Sequence, residues 1–359
     1  MSLPEPAAVE LNGGASFLAE IREQPLALMR LLERDDQFVR VAALMHQRGA
    51  RTVRMVGHGS SDNAASYGVY AFGLLPRWTA FRDSISLTVH YGTRLDLTGC
   101  TVLALSQSGR TPDVLEYVER ARAAGALTVA LTNEPDSDLA TAAEAVLVLD
   151  AGSERAVAAT KTYLNTVAAL ALLAAHAAGR GRRYAGGIRL VAEELDGLIP
   201  DLERRVLPLA ASFAFTGRMF VIGRGPEFAT AREIALKLLE TTRIAAEPLT
   251  ATSLAHGPVA ALDPLFPVWA VASDDETLPA VLEAAERTRA TGAALIASGS
   301  AASSLVGAEY SLPIPNLGSR LLSPLLSVVP GQLFAWALAR VKGLDPDRPR
   351  GLSKVTLAR

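Results

Sequence analysis

The sequence predicts an α/β protein built as two tandem three-layer domains, each with a parallel, flavodoxin-like sheet. Short Val/Ile/Leu-rich runs alternate with helical patterns, the runs are almost continuously apolar, and the arrangement occurs twice. Near-continuous apolar strands between helices imply a sheet covered on both faces, the usual setting of parallel strands. A chain of 359 residues, half of them hydrophobic and a fifth charged, has the length and material for two such cores.

The duplication can be read directly. Thr52-Val53-Arg54-Met55-Val56-Gly57-His58-Gly59 lines up with Arg218-Met219-Phe220-Val221-Ile222-Gly223-Arg224-Gly225, two apolar strands ending in Gly-x-Gly, and Gly57 lies 166 positions before Gly223. Leu103–Ser106 matches Ala270–Ser273 and Arg120–Gly125 matches Arg287–Gly292, both at an offset of 167. A near-constant offset over three blocks marks a tandem repeat. Within the first unit, strands are predicted over 101–105, 128–131 and 145–149. A helix is predicted over 112–124, with Val114, Tyr117, Val118 and Ala121 on one face. The joint is placed in 179–187, a Gly/Arg stretch without periodicity. The expected division is an N-terminal helical segment (1–35), a first domain (36–180), a second domain (188–344) and a C-terminal tail (345–359).

Charge and composition exclude several classes. The net charge is −2 with acids and bases interspersed, so no nucleic-acid partner is expected. The single cysteine, Cys100, excludes an internal disulfide and a Cys-built metal site, and its strand context reads as packing. No cofactor or metal is called for. The N-terminus shows no export signal, and the apolar run 167–175 is short of the ~20 residues of a membrane span. A cytoplasmic protein without membrane contact is expected.

The segment Ser106-Gln107-Ser108-Gly109-Arg110-Thr111-Pro112 lies between a predicted strand and a predicted helix. Gly109 permits a tight turn, Thr111 is placed to cap the helix, and Pro112 suits its first position. Free N–H groups at the helix start, with the hydroxyls of Ser106, Ser108 and Thr111, supply what a phosphate needs without a metal. There is no Gly-Lys-Ser/Thr of a nucleotide loop. An ordinary capped strand–helix turn has the same pattern. The equivalent loop of the second unit, Ser273-Asp274-Asp275-Glu276-Thr277, carries three carboxylates that would repel a phosphate, so one anion site per chain is expected.

Glu233, Lys237 and Glu240 share one helix face at i, i+4 and i+7. A carboxylate beside a lysine there can be tuned as an acid–base group, although a solvated, salt-bridged face shows the same spacing. His256, in Leu254-Ala255-His256-Gly257-Pro258, falls in a loop, where it fits structure or chemistry equally. His46, His58, His90 and His176 read as structural or surface residues. Lys354 stands on a terminal tail and has no local signal of a role.

Seven blocks in order then identify a resemblance. They are Glu20-Ile21-x-Glu23-Gln24-Pro25, Gly59-Ser60-Ser61, Ser106-Gln107-Ser108-Gly109, Ala159-Thr160-Lys161-Thr162, Ala235-Leu236-Lys237-Leu238-Leu239-Glu240, His256-Gly257-Pro258 and the tail 347–354. Over residues 17–359 the chain resembles the isomerase domain of glucosamine-6-phosphate synthase and its stand-alone relatives in the sugar isomerase (SIS) superfamily. The resemblance implies a phosphate held by Ser106, Gln107, Ser108 and Thr111 with help from Ser61, and sugar contacts from Ser60 and the Val157 backbone. It implies Glu240 as the base between C1 and C2, with Lys237 beside it. It implies ring opening by a His256 donated across a homodimer interface, and Lys354 closing the site, where it can form a Schiff base with a keto sugar.

Departures from the synthase pattern shape the expected activity. Ser2 stands where the synthase has its glutaminase cysteine, so glutamine hydrolysis is not expected. Arg110 replaces a loop glutamate, Ala159 a serine and Leu239 a lysine. The expected function is a glutamine-independent amino-sugar phosphate isomerase, foremost a glucosamine-6-phosphate deaminase giving fructose 6-phosphate and ammonia. A fructosamine-6-phosphate deglycase and a galactosamine-6-phosphate enzyme are the neighbouring alternatives. A non-catalytic sugar-phosphate sensor is the rival, though a binder has no need of Glu240, His256 and Lys354 together.

Overall fold

A computed structural model describes residues 13–354; parts of the N-terminal segment and of the tail lie outside the described residues. Helices α1 (Ala15–Arg22), α2 (Gln24–Glu33) and α3 (Asp35–Gln47) precede the first sheet. The first half runs β1 (Thr52–Val56), α4 (Ser60–Leu74), β2 (Thr79–Arg82), α5 (Ile85–Val89), β3 (Cys100–Leu105), α6 (Pro112–Ala123), β4 (Leu127–Thr132), α7 (Asp138–Ala142), β5 (Ala145–Val148) and α8 (Lys161–Ala177). After α9 (Gly181–Ser212) comes the second half: β6 (Arg218–Gly223), α10 (Glu227–Thr242), β7 (Ala245–Thr250), β8 (Val268–Val271), α11 (Leu278–Ala290), β9 (Leu295–Gly299), β10 (Tyr310–Pro313) and α12 (Ser323–Val341).

Each half contains a five-stranded sheet, in the orders β2-β1-β3-β4-β5 and β7-β6-β8-β9-β10, and every pairing is parallel. The two orders are the same once the repeat is allowed for, and they are the flavodoxin-like order. The predicted strands 101–105, 128–131 and 145–149 become β3, β4 and β5 with shifts of one residue at their ends. Strand β4 is buried at every residue, as a central strand covered on both faces requires. In such sheets the ligand crevice opens where the strand order reverses, here beyond the C-terminal ends of β1 and β3.

The Gly/Arg stretch is more ordered than its composition suggests. Gly181 opens α9, so residues 181–187 form its first turns, and Gly187 packs closely on Leu322 at the start of α12. The amphipathic remainder of α9, with Ile188, Val191, Leu195, Ile199 and Leu202 buried, supplies the packing that overrides poor local propensity. Helix α12 is long and apolar enough to span a bilayer by length and composition. All its residues from Ser323 to Ala339 are buried, against α9 and α10 among others, so its apolarity matches the core. Gly331 lets α10 approach, because a Cβ there would overlap Ile234. Helix α4 packs on α10 across the two halves, which brings side chains of the second half to the crevice of the first.

Candidate active site

A cavity of about 480 Å³ occupies that crevice. Its walls are the turn after β1, the loop after β3, residues of the 151–160 loop, the first turns of α8, the end of α10 and the tail at Leu352–Lys354. Nine of the residues singled out in the sequence line it: Ser60, Ser61, Ser106, Gln107, Ser108, Thr111, Val157, Glu240 and Lys354. They come from positions 60 to 354, and the sheet topology brings them together.

The loop after β3 is held by its own hydroxyls. Ser106 Oγ accepts the Gly109 N–H at 3.1 Å and lies 3.1 Å from Thr111 Oγ1, and Ser108 Oγ accepts the Arg110 N–H at 3.3 Å. Gly109 has φ +62° and faces Ser137 so closely that a Cβ would collide with its side chain, so glycine is required there twice over. Pro112 does open α6, but Thr111 does not cap it through its side chain; that hydroxyl turns to Ser106 instead. Arg110, expected to add to the attraction for an anion, is exposed and does not line the cavity.

The Glu-Lys-Glu stripe is buried, not solvated. Lys237 and Glu233 are inaccessible, and Glu240 keeps a side-chain exposure of 21% on the cavity side. Lys237 Nζ lies 2.6 Å from Glu240 Oε2, 3.4 Å from Glu233 Oε1 and 3.2 Å from Ser60 Oγ. Ser60 and Asn63 on α4 each donate to Glu233 at 2.9 Å. Burial is the largest influence on the Glu233 carboxyl and holds it above the ordinary carboxylate range. Burial opposes the charge of Lys237, but Glu233 and then Glu240 outweigh it and hold the ammonium above the ordinary lysine range. Lys237 therefore stays charged and pins one oxygen of Glu240, leaving the carboxylate oriented toward the cavity.

Lys354 enters from the tail. Its Nζ donates at 2.7 Å to Glu154 Oε2 and at 2.7 Å to the Ala156 carbonyl. Glu154 is completely buried and also accepts from Thr160 N, Thr162 N and Thr162 Oγ1. Burial alone would raise its carboxyl, but Lys354 and these donors bring it below the ordinary value. The tail is tied further by Asp347, whose carbonyl accepts from Val157 N and whose carboxylate accepts from Ser16 N and Phe17 N. Glu20 and Glu23 brace the same 151–160 segment. Glu20 accepts the N–H groups of Arg155 and Ala156, and Glu23 pairs with Lys161 at 2.6 Å.

Two predicted residues do not line the cavity: Lys237, buried behind Glu240, and His256, which the chain does not bring to it. His256 ends a short 3-10 turn, Ser253–His256, and is exposed. His58 needs the opposite correction: assigned to structure or surface, it stands in the cavity wall with Nε2 2.7 Å from Asp113 Oδ2. The available signal was its position in the Gly-x-Gly turn beside the hydroxyl loop. Glu154 and Asp113 were missed because their partners are distant in sequence. His46 bonds the Ala177 carbonyl and His176 bonds Asp35, away from the cavity. Among the described residues no group of three or more His, Cys, Asp or Glu side chains is placed to hold a metal ion.

The second half answers the same geometry differently. By the repeat, Glu227 stands where the first half has Ser61, and Ser273 where it has Ser106. Glu227 is 1% exposed, and its carboxylate accepts from Ser273 Oγ at 2.5 Å, Thr230 Oγ1 at 2.7 Å and Ser327 Oγ at 2.8 Å. The crevice position of the second sheet is thus filled by a buried carboxyl group of the chain itself.

Two parallel sheets in the same strand order, with a hydroxyl loop at the switch point of the first, make a duplicated α/β protein of one domain family. The SIS domain model matches twice, over residues 47–176 and 213–339, and the chain belongs to the SIS domain family as a tandem pair. It is 36% identical over 353 residues to the glutamine–fructose-6-phosphate aminotransferase (isomerizing) of Aeropyrum pernix, covering 94% of this chain and 56% of that protein. The chain thus spans little more than half the length of that curated relative. A crystal structure from Silicibacter pomeroyi assigned to the phosphosugar isomerases superposes with TM-score 0.81 at 31% identity, covering 92% of this chain and 99% of the other. The C-terminal domain of glucosamine-fructose-6-phosphate aminotransferase from Francisella tularensis shares the fold, with TM-score 0.84 at 24% identity over 95% of this chain and 99% of that domain.

Proposed function

We propose that this protein is a phosphosugar aldose–ketose isomerase acting on an amino-sugar 6-phosphate, foremost as a glucosamine-6-phosphate deaminase that uses no glutamine. The observation that carries the reading is Glu240: a carboxylate held at 2.6 Å by a buried lysine, partly exposed, in a cavity whose other wall is the hydroxyl loop. A base that must reach carbon needs that combination of fixed orientation and access.

In this reading the phosphate sits on Ser106, Gln107, Ser108 and Thr111 with Ser61 assisting, while Ser60 and the Val157 backbone meet the sugar. Glu240 takes the C2 proton of the open-chain aldose and returns a proton to C1. The product is the C2 ketimine, and water adds to its C=N bond to give fructose 6-phosphate and ammonia. Lys354, on the tail that lines the cavity, contacts the open chain in this reading and, released from Glu154, can form a Schiff base with a keto sugar. His256, exposed on its own chain, opens the ring in the site of a second subunit.

Two experiments test the reading. Incubation with a panel of hexosamine and fructosamine 6-phosphates should release ammonia from glucosamine 6-phosphate. Amine released from a fructosamine 6-phosphate, or turnover confined to galactosamine 6-phosphate, would move the assignment to those substrates. Binding without turnover across the panel would contradict catalysis. Mixing inactive Glu240→Gln and His256→Ala chains should restore about a quarter of wild-type activity if dimers exchange at random. A mixture that stays inactive despite proven exchange would place His256 outside a shared site.

A further inference from the structure

The charges bordering the cavity are poorly suited to a phosphate dianion. Asp113 and Glu240 are carboxylates, and Lys354 is already paired with Glu154. Lys237, behind Glu240, lies between two carboxylates. A phosphate entering the hydroxyl loop meets Asp113 in the first turn of α6, the helix whose N-terminus receives it. His58 is the remaining lining side chain able to add positive charge.

Its setting is specific. Asp113 is 7% exposed, and its Oδ1 accepts the Val114 N–H at 2.8 Å while its Oδ2 lies 2.7 Å from His58 Nε2. With a carboxylate as partner, Nε2 carries the hydrogen. Nδ1 then has no hydrogen-bond partner among the described residues, and the ring is 56% exposed at the cavity wall. His58 is also the one ionic partner of Asp113 among the described residues.

We propose that His58 is a ligand of the phosphate, carried on Asp113. As the imidazolium it donates Nε2–H to Asp113 and Nδ1–H to a phosphate oxygen, a charge-assisted hydrogen bond on each side. The repeat supports this assignment. The second half has Arg224 at the position of His58 and the pair Pro279-Ala280 around that of Asp113, and Arg224 bonds Thr252. The His–Asp pair exists only in the half that has the hydroxyl loop. The proposal rests on the reading of the cavity as a phosphosugar site.

The test is calorimetric titration of fructose 6-phosphate. His58→Gln should bind ~10–100-fold more weakly, since a charge-assisted hydrogen bond is removed. Asp113→Asn should also weaken binding. Wild-type affinity in His58→Gln would overturn the proposal, as would tighter binding by Asp113→Asn, the sign of a carboxylate that merely repels. If wild type itself does not bind fructose 6-phosphate, the phosphosugar reading has failed; if it binds and loses affinity only on Ser106→Ala with Ser108→Ala, His58 alone is misassigned.

Discussion

At the switch point of the first sheet stands Ser61, open to a cavity; at the same place in the second stands Glu227, sealed from solvent under three hydroxyl donors. The strand order, the Gly-x-Gly turn and the serine that follows the third strand are common to both halves. The same position therefore opens to a cavity in one half and is filled by a buried carboxyl of the chain in the other. Three carboxylates in the 273–277 loop lead to the expectation that a phosphate would be repelled there, and the structure adds that Glu227, bonded to Ser273, fills the corresponding position. Burial raises the Glu227 carboxyl, and its hydroxyl partners oppose the rise, so the environment is built around an oxygen cluster at that point.

The comparison can be broken at single residues. The largest effect is expected from Ser61→Glu, which places the second half's internal carboxyl in the first half's site. Sugar-phosphate binding should be abolished while the melting temperature stays close to wild type; retained binding would mean that Ser61 and Glu227 are not functional equivalents. Next, Ser106→Ala with Ser108→Ala should raise KM by about 10²-fold or more, two charge-assisted hydrogen bonds of about 1.5–3 kcal/mol each being lost. Unchanged affinity would put the phosphate elsewhere.

Ser273→Ala is the control in the other half. Ser273 is buried and donates to Glu227 at 2.5 Å, so its loss should cost about 1–3 kcal/mol of stability without altering KM. A raised KM with an unchanged denaturation midpoint would reverse the roles of the two loops.

A smaller effect concerns the segment that carries Val157. Burial is the main cause that lifts the Glu20 carboxyl from its ordinary 4.5 to about 7. Between those values the folded chain binds a proton that the unfolded chain does not, so this contribution to stability is present at low pH and is lost as pH rises through about 7. Denaturant midpoints measured from pH 4.5 to 7 should show that decline, and Glu20→Gln, with nothing to titrate, should flatten it. Identical pH profiles for the two proteins would remove Glu20 from the account.

What could be read in the sequence follows the same division between local and distant. The repeat, the strands and the hydroxyl loop depend on neighbours in the chain, and they were legible because apolar runs and a Gly/Ser/Thr/Pro turn carry their own physical reasons. The Glu-Lys-Glu stripe was legible as spacing, but its burial was not, since that depends on α4 arriving from the other half. The pairs His58–Asp113 and Lys354–Glu154 join residues 55 and 200 positions apart, and nothing local marks them. Glu227 looked like an ordinary acid in the first turn of a helix, where such residues are common. Only the tertiary structure shows that it fills a site.

The central claim is that the first half holds the phosphate while Glu240 of the second half moves the proton. The most direct measurement is incorporation of solvent deuterium into glucosamine 6-phosphate and fructose 6-phosphate by wild type and by Glu240→Gln. Wild type should label C2 of the aldose or C1 of the ketose, and the variant should do so ~10²–10⁴-fold more slowly while still binding the sugar phosphate. Labelling by Glu240→Gln at the wild-type rate would contradict the claim.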